Sequence, residues 1–247
     1  MVIIFSVGIR FCGWFTKHGI KSDDGDDISV TDVGSGELSD SIYVDEFSSV
    51  KLEVGFGDLK FAESGDDSYY VEYSTNDKKF VPKIGVENGV LVVAQDDMKF
   101  KDYIGTSSQK LTVIIYAPAK TEYSKVDIDS GAGDVNIENL TAKVFEIDLG
   151  AGDIRIKNSS LDSVDIDNGA GDIFMENNTF VKLDIDEGAG DITLNSIGDL
   201  NRYRFDIDCG IGDVKVGGQK VSGEYKSGNG EKEINIDIGT GNVDIIQ

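Results

Sequence analysis

The chain has 247 residues, with 46 acidic against 23 basic side chains, a net charge of −23 at pH 7, 30 glycines and 2 prolines. That charge excludes nucleic acid as a partner, because binding it needs a basic footprint, and it opposes docking on anionic lipid. One histidine, His18, and two cysteines, Cys12 and Cys209, exclude Ser-His-Asp chemistry, histidine-based zinc sites in the repeats and a disulfide framework.

Residues 1–20 open the chain with an apolar segment, in which Met1 to Phe15 is interrupted only by Ser6 and Arg10. It is shorter than the roughly 20 residues that cross a bilayer, and it lacks the basic start and cleavage site of a signal peptide. Two expectations follow: a truncated membrane anchor, with residues 1–15 as a tether, or a short apolar cap over one end of the fold. Residues 21–40, rich in Gly, Ser and Asp, read as a polar linker, and residues 41–247 as one domain.

Within that domain a motif repeats. Gly55-Phe56-Gly57-Asp58 is the first copy. Gly131-Ala132-Gly133-Asp134 then recurs at Gly150, Gly169 and Gly188 at a constant interval, and in altered form at Gly210 and Gly239 after longer ones. A fixed period of about 20 residues is the signature of a solenoid, whose coils bury their apolar faces against one another. The first copy lies four such periods before Gly131. The irregular part between them, residues 62–120, carries strand-like runs at Tyr69–Tyr73, Val90–Val93 and Leu111–Ala117, with Asn88-Gly89 as a turn. A flanking sheet continuous with the solenoid is the simplest reading, and three degenerate coils are the alternative.

In the regular repeats, residues 126–247, alternation places Val126 and Ile128 inward before the turn and Val135 and Ile137 inward after it. A strand of period 2 cannot change phase without a bend, so the bend lies in Gly-Ala-Gly. Four columns of apolar residues obey this rule in every copy and form the predicted core. The small turn column Ala132, Ala151, Ala170 and Ala189 suggests that the interior narrows at this corner. Asn139, Asn158 and Asn177 open the second turn, where asparagine tolerates left-handed backbone. Cys209 falls in the column of Ser130, Leu149, Asn168 and Glu187 and reads as a tolerated small residue.

A strand ending in Gly-x-Gly-Asp, a middle strand Leu111-Thr112-Val113 leading to Pro118, and the tandem Asp-Ile-Asp-x-Gly-Ala-Gly-Asp repeats together resemble the bacterial putative-adhesin family of β-strand repeats, of the domain of unknown function 4097 type. The resemblance implies an all-β, right-handed single-stranded β-helix with about 19-residue coils and a flanking N-terminal sheet region. It also implies an envelope location behind a membrane segment, and it offers no catalytic residues to carry over.

The chemistry lies outside the core, in three files of carboxylates. Two residues before each turn stand Glu53, Asp129, Asp148, Asp167, Asp186, Asp208 and Asp237. Four before stand Asp127, Glu146, Asp165, Asp184 and Asp206, with Lys51 and Asn235 at the ends; after the turn come Asp58, Asp134, Asp153, Asp172, Asp191 and Asp213, ending at Asn242. The Asp after the turn is expected to accept backbone N–H groups in an Asx-type turn. The outer pair is expected to form a solvated face that blocks edge association. The alternative is Ca²⁺ held between adjacent coils, with Asp127, Asp129, Asp148, Asp165, Asp167, Asp184, Asp186, Asp206 and Asp208 as metal candidates. The nonapeptide of the known calcium β-roll is absent.

An enzyme site should break the repeat with a cluster on one or two coils, and none is evident. The sequence therefore predicts a non-enzymatic, adhesin-like binding or structural solenoid of the cell envelope, with a protein or glycan partner. A cytoplasmic or membrane-associated scaffold in a membrane stress response is the second expectation, and a Ca²⁺-binding solenoid the third.

Overall fold

The computed structural model describes residues 31–33, 37–95 and 110–247. The apolar segment 1–20, including the tether at residues 1–15, lies outside the described residues. Among those described, no helix is long and apolar enough to cross a membrane, and helical geometry is limited to the single turns Lys78–Phe80 and Leu200–Arg202.

The N-terminal region contributes β1 (Thr31–Val33), β2 (Glu37–Tyr43), β3 (Ser49–Val54), β4 (Asp58–Glu63), β5 (Tyr70–Thr75), β6 (Lys83–Glu87), β7 (Val90–Ala94) and β8 (Leu111–Ala117). The three regular coils that follow are β9 (Glu122–Ser130) with β10 (Val135–Glu138), β11 (Thr141–Leu149) with β12 (Ile154–Lys157), and β13 (Ser160–Asn168) with β14 (Ile173–Glu176). Next come β15 (Lys182–Ala189) with β16 (Ile192–Asn195), then β17 (Tyr203–Ile211) with β18 (Val214–Val216). A hairpin-like excursion, β19 (Gln219–Val221) and β20 (Glu224–Ser227), precedes the last coil, β21 (Lys232–Thr240) with β22 (Val243–Ile245).

Among the described residues these strands form two sheets, one of 12 strands and one of 10. Each coil places its longer strand in the second sheet and its shorter strand in the first, joined by the Gly-x-Gly-Asp turn. Successive regular coils pair in parallel, in register with the sequence repeat, as Val126 with Phe145 and Phe145 with Val164. The core lies between the sheets. Along the inner face of the second sheet, Val50, Val126, Phe145, Val164, Leu183, Ile234 and Phe205 stack rung upon rung, all at 5% exposure or less. The facing column Leu59, Val135, Ile154, Ile173, Ile192, Val243 and Val214 is equally dry. Only Val216 among the predicted core positions is half-buried.

The glycines permit this stacking. The φ of Gly152 is +147°, and a side chain there would run into the carbonyl oxygen of Gly133 one rung away. Only glycine meets both demands at that spacing. The alanine between the glycines does not face the core: Ala151, Ala170 and Ala189 are exposed, and so is Ile211, at 71%. The expected narrowing of the interior is thus corrected. It is the backbones that approach closely at this corner, while the middle side chain projects into water. The second turn is as predicted, with Asn139, Asn158 and Asn177 at φ of 58°, 51° and 54°. The Asn177 amide donates to Asn158 Oδ1 at 2.8 Å.

Rung order departs from chain order at both ends. The Gly55 turn sits directly against the Gly131 turn: Gly57 N–H donates to Ala132 O at 2.8 Å and Gly131 N–H to Val54 O at 3.1 Å. The stretch of chain from Gly55 to Gly131 therefore spans one rung, not four, and hides no degenerate coils between these turns. Residues 62–120 instead place β7 beside β3 and β8 beside β4, both parallel, and extend the sheets outward through β6 and β5, with β2 and β1 from the start of the domain beyond β5. At the other end β21 lies between β15 and β17, and β22 between β16 and β18. The chain steps over one rung and returns to fill it.

Candidate functional site

The carboxylate files are built by alternation: core residues fix the inward parity of each strand, so every residue between them faces solvent on the same side. Parallel strands lie about 4.8 Å apart, close enough for like charges to repel by about 1 kcal/mol in water and by roughly 3 to 4 kcal/mol at an effective dielectric near 20. The structure meets this repulsion differently in each file.

After the turn, each side chain accepts a hydrogen bond from the next rung. Asp58 Oδ1 accepts Asp134 N–H, Asp134 accepts Asp153 N–H, Asp153 accepts Asp172 N–H and Asp172 accepts Asp191 N–H, at 2.9 to 3.1 Å. Asp191 then accepts Asn242 N–H at 2.8 Å, and Asn242 Oδ1 accepts Asp213 N–H at 3.1 Å. The expected role of this Asp was right in kind, but its donor belongs to the neighbouring rung rather than to its own turn. The backbone N–H of Asp172, followed by the Arg155 guanidinium at 2.7 Å, holds the Asp153 carboxyl below its ordinary range. This file is a structural relay.

The file four before the turn runs Lys51, Asp127, Glu146, Asp165, Asp184, Asn235, Asp206. Asn235 lies between Asp184 and Asp206, not at an end as the chain order suggested, and its amide donates to Asp184 Oδ1 at 2.6 Å. Bases neutralise much of the rest. Lys125 Nζ bridges Asp127 at 3.2 Å and Glu146 at 2.7 Å, Lys182 pairs with Asp184, and Lys226 reaches Asp206 at 2.8 Å.

The file two before the turn is different. Its order is Glu53, Asp129, Asp148, Asp167, Asp186, Asp237, Asp208. Lys51 pairs with Glu53 at 2.7 Å, but among the described residues no lysine or arginine forms an ion pair with the other six. Partial burial, then neighbouring carboxylates, push the carboxyls of Asp129, Asp167 and Asp186 above their ordinary range. Asp165 in the adjacent file is raised for the same two reasons. Of the nine metal candidates, Asp129, Asp148, Asp167, Asp186 and Asp208 thus share one unneutralised stripe. Asp127, Asp165, Asp184 and Asp206 fall in the largely compensated file. Asp237 completes the stripe; chain order placed it last, and its true position between Asp186 and Asp208 depends on the rung exchange. Among the described residues no three His, Cys, Asp or Glu side chains converge on a point that could hold a metal ion.

Inside the same corner lies a column that alternation also turns inward: Val54, Ser130, Leu149, Asn168, Glu187, Ile238 and Cys209. Asn168 and Glu187 are 3% and 4% exposed. Glu187 accepts Asn168 Nδ2 at 2.9 Å and Ala189 N–H at 3.1 Å, and burial raises its carboxyl to about 7. Asn168 Oδ1 is buried without a hydrogen-bond partner. Cys209 is buried, as its column required.

These features define a parallel β-solenoid with glycine-hinged rungs, an internal aspartate relay and one broad acidic face. The chain belongs to the Toastrack DUF4097 family, whose model matches residues 47–226. Its fold is similar to the crystal structure of a putative cell adhesion protein from Clostridium sporogenes, at a TM-score of 0.57 and 18% identity over 85% of this chain and 99% of that one. A putative adhesin from Bacteroides fragilis also matches, at a TM-score of 0.45 and 14% identity over 85% and 97% of the two chains. No curated protein matches the chain.

Proposed function

We propose that this protein is a non-enzymatic, adhesin-like binding or structural β-solenoid of the bacterial cell envelope, wound right-handedly, whose acidic face contacts a protein or glycan partner. The observation that carries this reading is the stripe Asp129, Asp148, Asp167, Asp186, Asp237 and Asp208, six successive rungs of carboxylate without a basic partner among the described residues. A face that leaves its charge uncompensated while the neighbouring file is paired is suited to a basic or hydrogen-bond-donating surface. Family membership and the adhesion name of the Clostridium sporogenes structure support the same reading. The even distribution of carboxylates over the rungs, with no cluster confined to one, supports a binding rather than a catalytic role.

The test is a variant with Asp148→Asn, Asp167→Asn and Asp186→Asn, compared with the native chain for binding to intact cells and extracted envelope glycans. Loss of binding with an unchanged fold by circular dichroism is expected, and undiminished binding would remove the stripe from the reading. Protease accessibility on intact cells separates an envelope protein from the cytoplasmic or membrane-associated scaffold of a stress response. Protection until the cells are lysed would favour the scaffold.

The same stripe favours a second reading, in which Ca²⁺ bridges carboxylates of adjacent rungs. Millimolar Ca²⁺ should then raise the melting temperature beyond the shift produced by Na⁺ at matched ionic strength, and the triple Asp→Asn variant should lose that difference. Equal shifts with both salts would reject it.

A further inference from the structure

The rung formed by β21 and β22 comes after β17 and β18 in the chain but before them in the stack. Without it, β15 and β16 would face β17 and β18 across a slot one rung wide, open in both sheets. The slot has a defined chemistry. Its walls are Asp184 and Asp191 on one side and Asp206 and Asp213 on the other, in register with residues 235 and 242 of the filling rung. At those two positions the filling rung carries Asn235 and Asn242 rather than the carboxylates of the regular coils. Asn242 Nδ2 donates to Asp191 Oδ1 at 3.0 Å while its own Oδ1 accepts Asp213 N–H, so one amide satisfies both walls. A carboxylate there would be wedged between two others.

The apolar side of the rung is equally suited, with Ile234, Ile236, Ile238, Val243 and Ile245 all at 3% exposure or less. The link from β20 to β21 passes over the start of β17 at Gly228-Asn229-Gly230. Gly228 sits there at φ +81°, and side chains at either glycine would meet the backbone of Arg202 and Tyr203. The crossing therefore demands glycine at both positions. Arg202 to Glu231 at 2.7 Å and Arg204 to Glu233 fasten the rung beside β17 once it is in place.

We propose that this slot is a keyed acceptor site for the segment 232–246, and that it takes the same segment from a second copy of this chain as well as from its own, giving a rung-exchanged dimer. The contacts that hold the segment are made to β15, β16, β17 and β18 and to the residues that flank them, Val181, Gly190, Asp191, Ile197, Asp213 and Gly217, and a second copy of the chain offers the same partners. The short link gives the cis segment a high effective concentration. Exchange therefore occurs on folding at high protein concentration rather than between folded monomers. This proposal does not depend on what the acidic face binds.

Asp186 and Asp237 stand opposite each other in register and face solvent, which places them within reach of a disulfide if both become cysteine. Full-length chains carrying Asp186→Cys with heavy-isotope labels and Asp237→Cys without labels are mixed, unfolded, refolded together at high concentration and oxidised. A labelled 186 peptide joined to an unlabelled 237 peptide is expected by mass spectrometry, together with a dimer of the native chain by light scattering after the same refolding. A double variant with both cysteines in one chain, refolded dilute and oxidised, should lock the segment in cis and reduce the dimer to background on later concentration. Native chain that remains monomeric after concentrated refolding overturns the proposal, whatever the cysteine variants do. So does a dimer in which 186 never joins 237 of the other copy although the double variant forms its internal disulfide.

Discussion

Glu187 is a carboxyl sealed within the corner of the stack, and its position could be deduced from parity. If Val126 and Ile128 face inward, so do Ser130 and its equivalents, Glu187 among them. What parity could not give was the company it keeps: the Asn168 amide one rung away and an amide oxygen left without a partner. Burial raises the carboxyl from 4.5 to about 7, so the folded protein holds a proton there that the unfolded chain has released. The stability linked to that proton is fully present below pH 4.5 and is lost as pH rises through about 7, a change of roughly 3 kcal/mol. Glu187→Gln should therefore flatten the dependence of melting temperature on pH between those limits. A slope unchanged in the variant would assign the effect to the raised carboxyls of Asp129, Asp165, Asp167 and Asp186 instead.

The unit of construction is the rung with its Gly-x-Gly-Asp turn. Its phase flip was legible, because alternation on each side of the turn admits one solution. Two details were not. The alanine between the glycines faces water, and the following Asp bonds to the next rung, since the N–H groups that follow it are taken by the ladder between rungs, as Val135 N–H is by Asp153 O. Both depend on contacts between rungs, which the repeat of a single strand does not encode. The amides of the last rung follow the same logic: Asn235 and Asn242 end their files in chain order but lie between acidic neighbours in the stack. Replacing both with Asp should lower the melting temperature, a loss of about 1 to 3 kcal/mol of stability at low ionic strength. Most of the loss should be recovered in molar salt. A loss that salt leaves untouched would point to packing rather than charge.

At the scale of the molecule, the stack ends deliberately. Among the described residues the outermost strands of the two sheets, β1 and β19 in one and β6 and β20 in the other, all pair antiparallel with their neighbours. All four are short, of 3 to 5 residues, so they offer a second molecule little free edge for end-to-end growth. The acidic face adds a second guard by repulsion. Because six rungs of the stripe are unpaired, Na⁺ alone should raise the melting temperature between low and physiological ionic strength. Asp167→Asn, which removes one charge from the middle of the stripe, should raise it at low salt, a stabilisation of roughly a few tenths to 1 kcal/mol. A destabilised variant at low salt would mean that the Asp167 carboxylate makes a structural bond outweighing its repulsion.

The sequence by itself determined the class of fold, the four core columns, the site of the bend and the existence of three acidic files. These follow from local alternation, which each strand carries whole. Only the tertiary structure decided which rung lies beside which, and so which carboxylates are paired, relayed or bare. Repeats of nearly equal shape offer nearly equal interfaces, so their order is set by the small differences that favour one neighbour over another: an asparagine between aspartates, a lysine over a carboxylate, a glycine where the chain crosses itself.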